Sequence, residues 1–185
     1  MKYRRQGKLY LFDYHSPVDL DRVDELTLEA TNMLAAVYAK LLSKTGESVV
    51  ATSGYRTPAH QVEIMTKLRS KLDPVTKKPK EYISNYGTVD PDQKATLTEE
   101  WVQARMPHVD GRAVDIYRNP VQNIDALVEE VNKEWGKQGW PSSLIVKEDY
   151  KDDKNIRHSC YHVQIPRELK AVSLTTLSGL RGTVT

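Results

Sequence analysis

The sequence predicts an α+β fold, with helices packed on a small antiparallel or mixed sheet. Three observations lead there. Helical three- and four-residue spacings of apolar residues give way repeatedly to short alternating or β-branched runs. These elements follow in the order helix, strand, helix, loop, strands, helix, strands, a mixture typical of that class. The 185 residues show no internal repeat, low-complexity tract or second-domain boundary, so residues 1–185 read as one domain.

Residues 1–17 read as an extended N-terminal arm, with Leu9, Tyr10, Leu11 and Phe12 expected to lie against the core. From Asp19 to Lys44, Val23, Leu26, Met33, Leu34, Val37, Leu41 and Leu42 recur at helical spacing, and Gly46 closes the run. Ser48 to Ser53 is a short strand ending at Gly54. Thr57 then reads as an N-cap with Pro58 at the first helical position. That helix is expected to reach Leu72, with Val62, Ile64, Met65 and Leu68 facing inward. Residues 73–95 are rich in Pro, Gly, Asp and Lys and form the longest expected loop. Its lysines 77, 78 and 80 read as a solvated surface, and its Tyr82 and Tyr86 as groove-lining or loop-packing residues.

Thr96-Leu97-Thr98-Glu99 has capping-box spacing and opens a short helix through Arg105. Ala113 to Tyr117 is a strand, Asn123 to Trp135 an amphipathic helix, and Ser143 to Lys147 a strand. A polar turn at 149–157 leads to a last strand, Cys160 to Ile165, and residues 167–185 form a C-terminal tail.

Composition narrows the function. Hydrophobic residues make up 39% and charged residues 28%, the balance of a globular chain, and a net charge of +2 offers no field for nucleic acid. The single cysteine, Cys160, excludes an internal disulfide and any Cys-rich zinc module, and reads as a small buried residue. No apolar segment follows Lys2, Arg4 and Arg5 as a secretory signal requires, and no apolar run suits a bilayer. The expectation is a chain made in the cytoplasm with no membrane partner.

The chemistry concentrates in two segments. In His108-Val109-Asp110-Gly111-Arg112-Ala113-Val114-Asp115-Ile116, strand alternation gives Val114 and Ile116 to the core and leaves Asp115 on the opposite face. A mid-strand aspartate needs a compensating partner, and Gly111 permits the turn that returns His108 toward it. In His158-Ser159-Cys160-Tyr161-His162-Val163-Gln164-Ile165, Tyr161, Val163 and Ile165 share one face, and His158, Cys160, His162 and Gln164 the other. If the two strands neighbour each other, His108, Asp115 and His162 supply three N/O ligands and leave a fourth position for water. That is the donor set of a catalytic Zn2+ site, in which the ion acidifies its water and polarises a peptide carbonyl. Strand histidines are also common as packed, hydrogen-bonded residues, so spacing leaves that alternative open.

The motifs Ser53-Gly54-Tyr55-Arg56-Thr57, His108-x-x-Gly111-x-Ala113-Val114-Asp115-Ile116 and Tyr161-His162-Val163 occur in that order. Over residues 48–166 the chain resembles the zinc D-Ala-D-Ala carboxypeptidase and L-alanyl-D-glutamate endolysin family, which includes the related Hedgehog signalling domain. The resemblance implies a Hedgehog/DD-peptidase-like fold and zinc on His108, Asp115 and His162. It further implies a substrate contact by Arg56 and a peptidoglycan peptide as substrate, cut by an endopeptidase or D,D-carboxypeptidase. Such an enzyme would act at the bacterial wall after release or within a phage particle.

Two positions depart from the family pattern. Met106 stands where Ser or Thr is common, and Ser159 stands where many members carry the catalytic Glu or His. The general base is then His158, Glu148 or Asp149. A zinc module with a structural or virion role is the alternative to an enzyme, and a metal-free remnant a third reading. The remaining candidates have ordinary assignments: His15 in a turn, His60 on a helix surface, and Trp101, Trp135 and Trp140 as packing anchors.

Overall fold

A computed structural model describes residues 2–42, 48–69, 96–117, 124–137, 144–151 and 157–167. The order is β1 (Arg4–Arg5), β2 (Lys8–Leu9), β3 (Asp13–Tyr14), α1 (Glu25–Leu42), β4 (Val50–Ser53), α2 (Pro58–Arg69) and α3 (Glu99–Arg105). It continues with β5 (Ala113–Tyr117), α4 (Ile124–Lys137), β6 (Leu144–Lys151) and β7 (Arg157–Gln164). β1 and β2 form a small hairpin, and the other five strands a sheet in the order β3-β4-β5-β7-β6. Among the described residues only the β3–β4 pair is parallel. The α+β class expected from the sequence is therefore found.

The sheet register is set by the core. Val114, Ile116, Tyr161 and Val163 are buried on one face with Leu28, Leu34, Val37 and Tyr38 of α1, and Tyr38 meets Tyr161 edge-on. A slip of one residue would move these four strand side chains to the other face. At about 1.5–3 kcal/mol each, that loss rivals the whole stability of a domain. The alternate residues are thereby fixed on the far face, and a transverse row forms: Ser53 pairs with Asp115, and Asp115 with His162.

Several local expectations are corrected. Of the arm, Tyr10 and Phe12 are buried with Tyr3, whereas Leu9 and Leu11 are 52% and 38% exposed. Alternation turns the aromatics inward, and the larger rings take the core positions. Helix α1 begins at Glu25 rather than Asp19. Asp19 holds a turn by accepting from the N–H groups of Asp21 and Arg22, and Asp24 caps α1, its carboxylate accepting from Leu26 N–H and its carbonyl from Leu28 N–H. Thr98, not Thr96, caps α3 by accepting from the N–H of Trp101. β6 and β7 extend into the expected polar turn at 149–157, β6 to Lys151 and β7 from Arg157, with Glu148 opposite Cys160 and Asp149 opposite Ser159.

Helices α2 and α3 close over a second, smaller core of Met65, Val102 and Val109, with Val62 and Trp101 packed against it. The expected loop 73–95 with Tyr82 and Tyr86, the Leu72 helix end, Trp140 and the tail 168–185 lie outside the described residues, as do the side chains of Leu41, Leu42, Leu68 and Trp135. Among the described residues no helix is long and apolar enough to cross a membrane.

Candidate metal centre

Segment 19–24 wedges between the two loops that carry the site. Tyr55 N–H donates to the Asp19 carbonyl (2.8 Å), and Asp24 N–H to the Gly111 carbonyl (2.7 Å). Both approaches need glycine. A Cβ on Gly54 would stand 2.3 Å from the Asp19 oxygen, and one on Gly111, whose φ is +71°, 2.4 Å from the Arg22 oxygen. The two loops are also tied to each other, because Arg56 N–H donates to the His108 carbonyl at 3.2 Å. Arg112 adds a buried clamp: its Nε donates to Asp110 (2.6 Å) and its Nη1 to the Ile165 carbonyl (2.8 Å). The turn bearing His108 is thus fastened to the end of the strand bearing His162.

His108, Asp115 and His162 meet where the sequence placed them. All three are buried, and their ligand atoms lie within 4.8 Å of one another. His108 Nε2 is 3.3 Å from Asp115 Oδ2, and His162 Nδ1 is 2.8 Å from Asp115 Oδ1. In a tetrahedral zinc site with bonds of about 2.0–2.1 Å, neighbouring ligand atoms stand about 3.4 Å apart. One imidazole–carboxylate distance lies close to that spacing and the other below it, and all three ligand atoms fall within 4.8 Å of one another.

The tautomer of His108 also fits. Its Nδ1 is 2.7 Å from the Gly54 carbonyl oxygen, which can only accept. The ring proton of the neutral imidazole therefore sits on Nδ1, and Nε2 turns its lone pair toward the Asp115 carboxylate. A lone pair facing a carboxylate in a buried site calls for a cation between them.

Burial holds His108 below the ordinary histidine value, with the Asp115 charge pulling the other way. For Asp115, burial alone would raise the carboxyl, but His108 and His162 together outweigh it and keep it well below the usual carboxylate range. Both groups are thus in their metal-binding forms at neutral pH. The stability consequence follows from their signs. A histidine or carboxylate whose folded pKa is depressed binds fewer protons in the folded than in the unfolded chain, so stability rises with pH across that window. Chelator-treated protein is expected to be less stable to urea at pH 5 than at pH 7.5, His108 contributing below about pH 6.5 and Asp115 only in stronger acid. Equal midpoints at the two pH values would contradict it.

Arg56 joins the group. Its Nη2 is 3.1 Å from Asp115 Oδ2, its Nε donates to Ser53 Oγ at 3.0 Å and its Nη1 to Gln61 Oε1 at 3.3 Å. Of five guanidinium N–H groups, three are engaged, leaving one on each terminal nitrogen. The side chain is 24% exposed. Gln61, buried on the first turns of α2, is a member of the site that the sequence reading missed. Its five-residue distance from Arg56 across the loop–helix junction carries no pattern of its own.

The other candidates are placed plainly. His158 pairs with Tyr150 in the β6–β7 register, but its side chain lies outside the described residues, as do those of Ser159, Glu148 and Asp149. His60 is exposed and faces Glu63 at 3.5 Å, His15 is an exposed turn residue whose carbonyl accepts from Val18, and Cys160 is buried beside the row. Trp101 is partly buried, with the Arg105 guanidinium over its ring. The site is a buried His-Asp-His triad able to bind a metal ion. Compared with protein-family models, curated proteins and solved structures, the chain matches none.

Proposed function

We propose that the protein is a zinc-dependent metallopeptidase of the D-Ala-D-Ala carboxypeptidase and endolysin type, hydrolysing peptidoglycan stem peptides. The observation that carries this reading is the fixed tautomer of His108, whose free Nε2 converges with Asp115 and His162 beside a partly exposed arginine. Two imidazoles and a carboxylate leave one coordination position open, unlike the closed donor sets of structural zinc. A zinc ion held there supplies a Lewis acid and lowers the pKa of a water at neutral pH.

The chain's own residues have separable tasks. His108, Asp115 and His162 hold the ion, and Gly54 keeps His108 turned toward it. Ser53, Gln61 and Asp115 hold Arg56 so that its two remaining N–H groups point at an acceptor, where a fixed guanidinium stabilises charge growing on a peptide carbonyl oxygen. The proton of the attacking water would go to one of the expected bases, and the β6–β7 register supports Glu148, opposite Cys160, over Asp149, opposite Ser159, and His158, four residues from His162 along β7.

Two experiments address the reading. Zymography on bacterial cell walls is expected to show clearing that a chelator abolishes and zinc restores, with Asp115→Ala inactive. Equal clearing by wild type and mutant would end the enzyme reading, and zinc binding without turnover of any wall peptide would favour a structural zinc module. Arg56→Gln is expected to lower kcat by about 10²–10³-fold while zinc content stays stoichiometric. Arg56→Lys should recover little, because one ammonium cannot serve Ser53, Gln61 and Asp115 at once. Lost zinc in the Arg56 variants would instead make Arg56 a structural support of Asp115.

A further inference from the structure

His162 differs from His108 in what fixes its proton. Its Nδ1 stands 2.8 Å from Asp115 Oδ1, a good distance for an N–H donor to a carboxylate. Taken alone, that contact favours the tautomer with the proton on Nδ1, in which Nδ1 has no lone pair for a metal. On the other side of the ring, Nε2 is 3.2 Å from Gln164 Oε1. Gln164 is the last residue of β7, buried, and on the same strand face as His162. Strand period two brings the two side chains together, while pairing with Ala113 and Leu144 fixes the backbone that carries Gln164.

We propose that Gln164 is a positioning residue that selects Nδ1 of His162 as the metal-binding atom. By accepting from Nε2–H, its amide oxygen holds the ring proton on the nitrogen away from Asp115 and frees the Nδ1 lone pair. The inference rests on the metal reading above. It follows from the chemistry of a buried imidazole: an Nε2–H without an acceptor costs its desolvation, so removing the acceptor returns the proton to Nδ1 and blocks the ligand. An amide serves better than a hydroxyl here, since its oxygen reaches the ring from the neighbouring same-face position. Ser53, the polar residue at the other end of the row, is engaged with Arg56 and lies on the far side of Asp115.

The test uses the full chain and zinc alone. Competition titration with a chromogenic chelator is expected to show zinc binding weakened about 10–100-fold in Gln164→Leu, the usual cost of losing an outer partner of a ligating histidine. Gln164→Glu, which keeps the acceptor, should return affinity to within a few-fold of wild type. Nitrogen-15 NMR of zinc-loaded wild type should show His162 protonated on Nε2, a readout needing no variant. Wild-type affinity in Gln164→Leu, or a His162 proton on Nδ1 in the loaded protein, would overturn the inference and leave the metal reading intact. Wild-type protein that takes up no zinc would overturn both.

Discussion

Asp115→Ala is expected to strip zinc from the protein and to unsettle the metal-free fold as well. Asp115 is the hub of the row: Oδ1 meets His162, and Oδ2 meets both His108 and Arg56. Loss of a ligand should exceed the roughly 10–100-fold cost of losing an outer partner, leaving no stoichiometric metal after gel filtration. It also leaves the Arg56 charge without its carboxylate and His162 Nδ1 without its partner. Removing one partner of a buried ion pair costs about 3–5 kcal/mol, and partial exposure of Arg56 places the expected loss near the lower end. Asp115→Asn separates the two effects. It keeps the shape and one acceptor oxygen, so it should fold nearly as well as wild type in chelator yet bind zinc poorly. An Asn variant with wild-type affinity would mean that His108 and His162 hold the ion without the carboxylate.

The second large effect is expected at a residue that supplies no ligand atom, Gly111. Alanine there must adopt a left-handed backbone and also push a Cβ to within 2.4 Å of the Arg22 oxygen. Strain of about 1–3 kcal/mol adds to a comparable overpacking cost, giving a loss of about 2–6 kcal/mol. The displaced turn also carries His108, so zinc affinity should fall with stability. Gly7→Ala is the control, because its φ of +79° is similar but nothing lies within 4 Å of the added Cβ. It should cost only the strain and leave metal binding unchanged. Urea denaturation and zinc titration of both variants decide the matter; equal effects would show that the contact with segment 19–24 is unimportant.

Those contacts mark the boundary of what the sequence displays. Alternation in Ala113–Tyr117 and in Tyr161–Ile165 was legible because period two separates apolar from polar residues cleanly, and it placed Asp115 and His162 on one face. Gly111 was legible as a turn. Residues 19–24 read as the start of a helix because Val23 and Leu26 keep helical spacing, yet Asp19 spends its carboxylate on the N–H groups of Asp21 and Arg22 in a turn, and the helix starts only after Asp24, its cap. Leu9 and Leu11 read as core because hydrophobicity alone does not say which of four consecutive apolar residues faces inward. The acceptors that fix the two imidazoles were not legible for different reasons. The Gly54 carbonyl is a backbone group that any residue would supply, and Gln164, though seen to share the face of His162, has a role only once both of that ring's neighbours are known.

The alternation of the two central strands has a consequence for how this protein can change. Residues 114, 116, 161 and 163 answer to folding, while 115, 162 and 164 answer to the metal, so neighbouring codons are under separate demands. Ligand chemistry can drift, toward another metal or another acceptor at 164, without disturbing the packing that keeps the scaffold standing. By the same interleaving, what holds Asp115 opposite His162 is the pairing of β5 with β7 and not the length of the path between them.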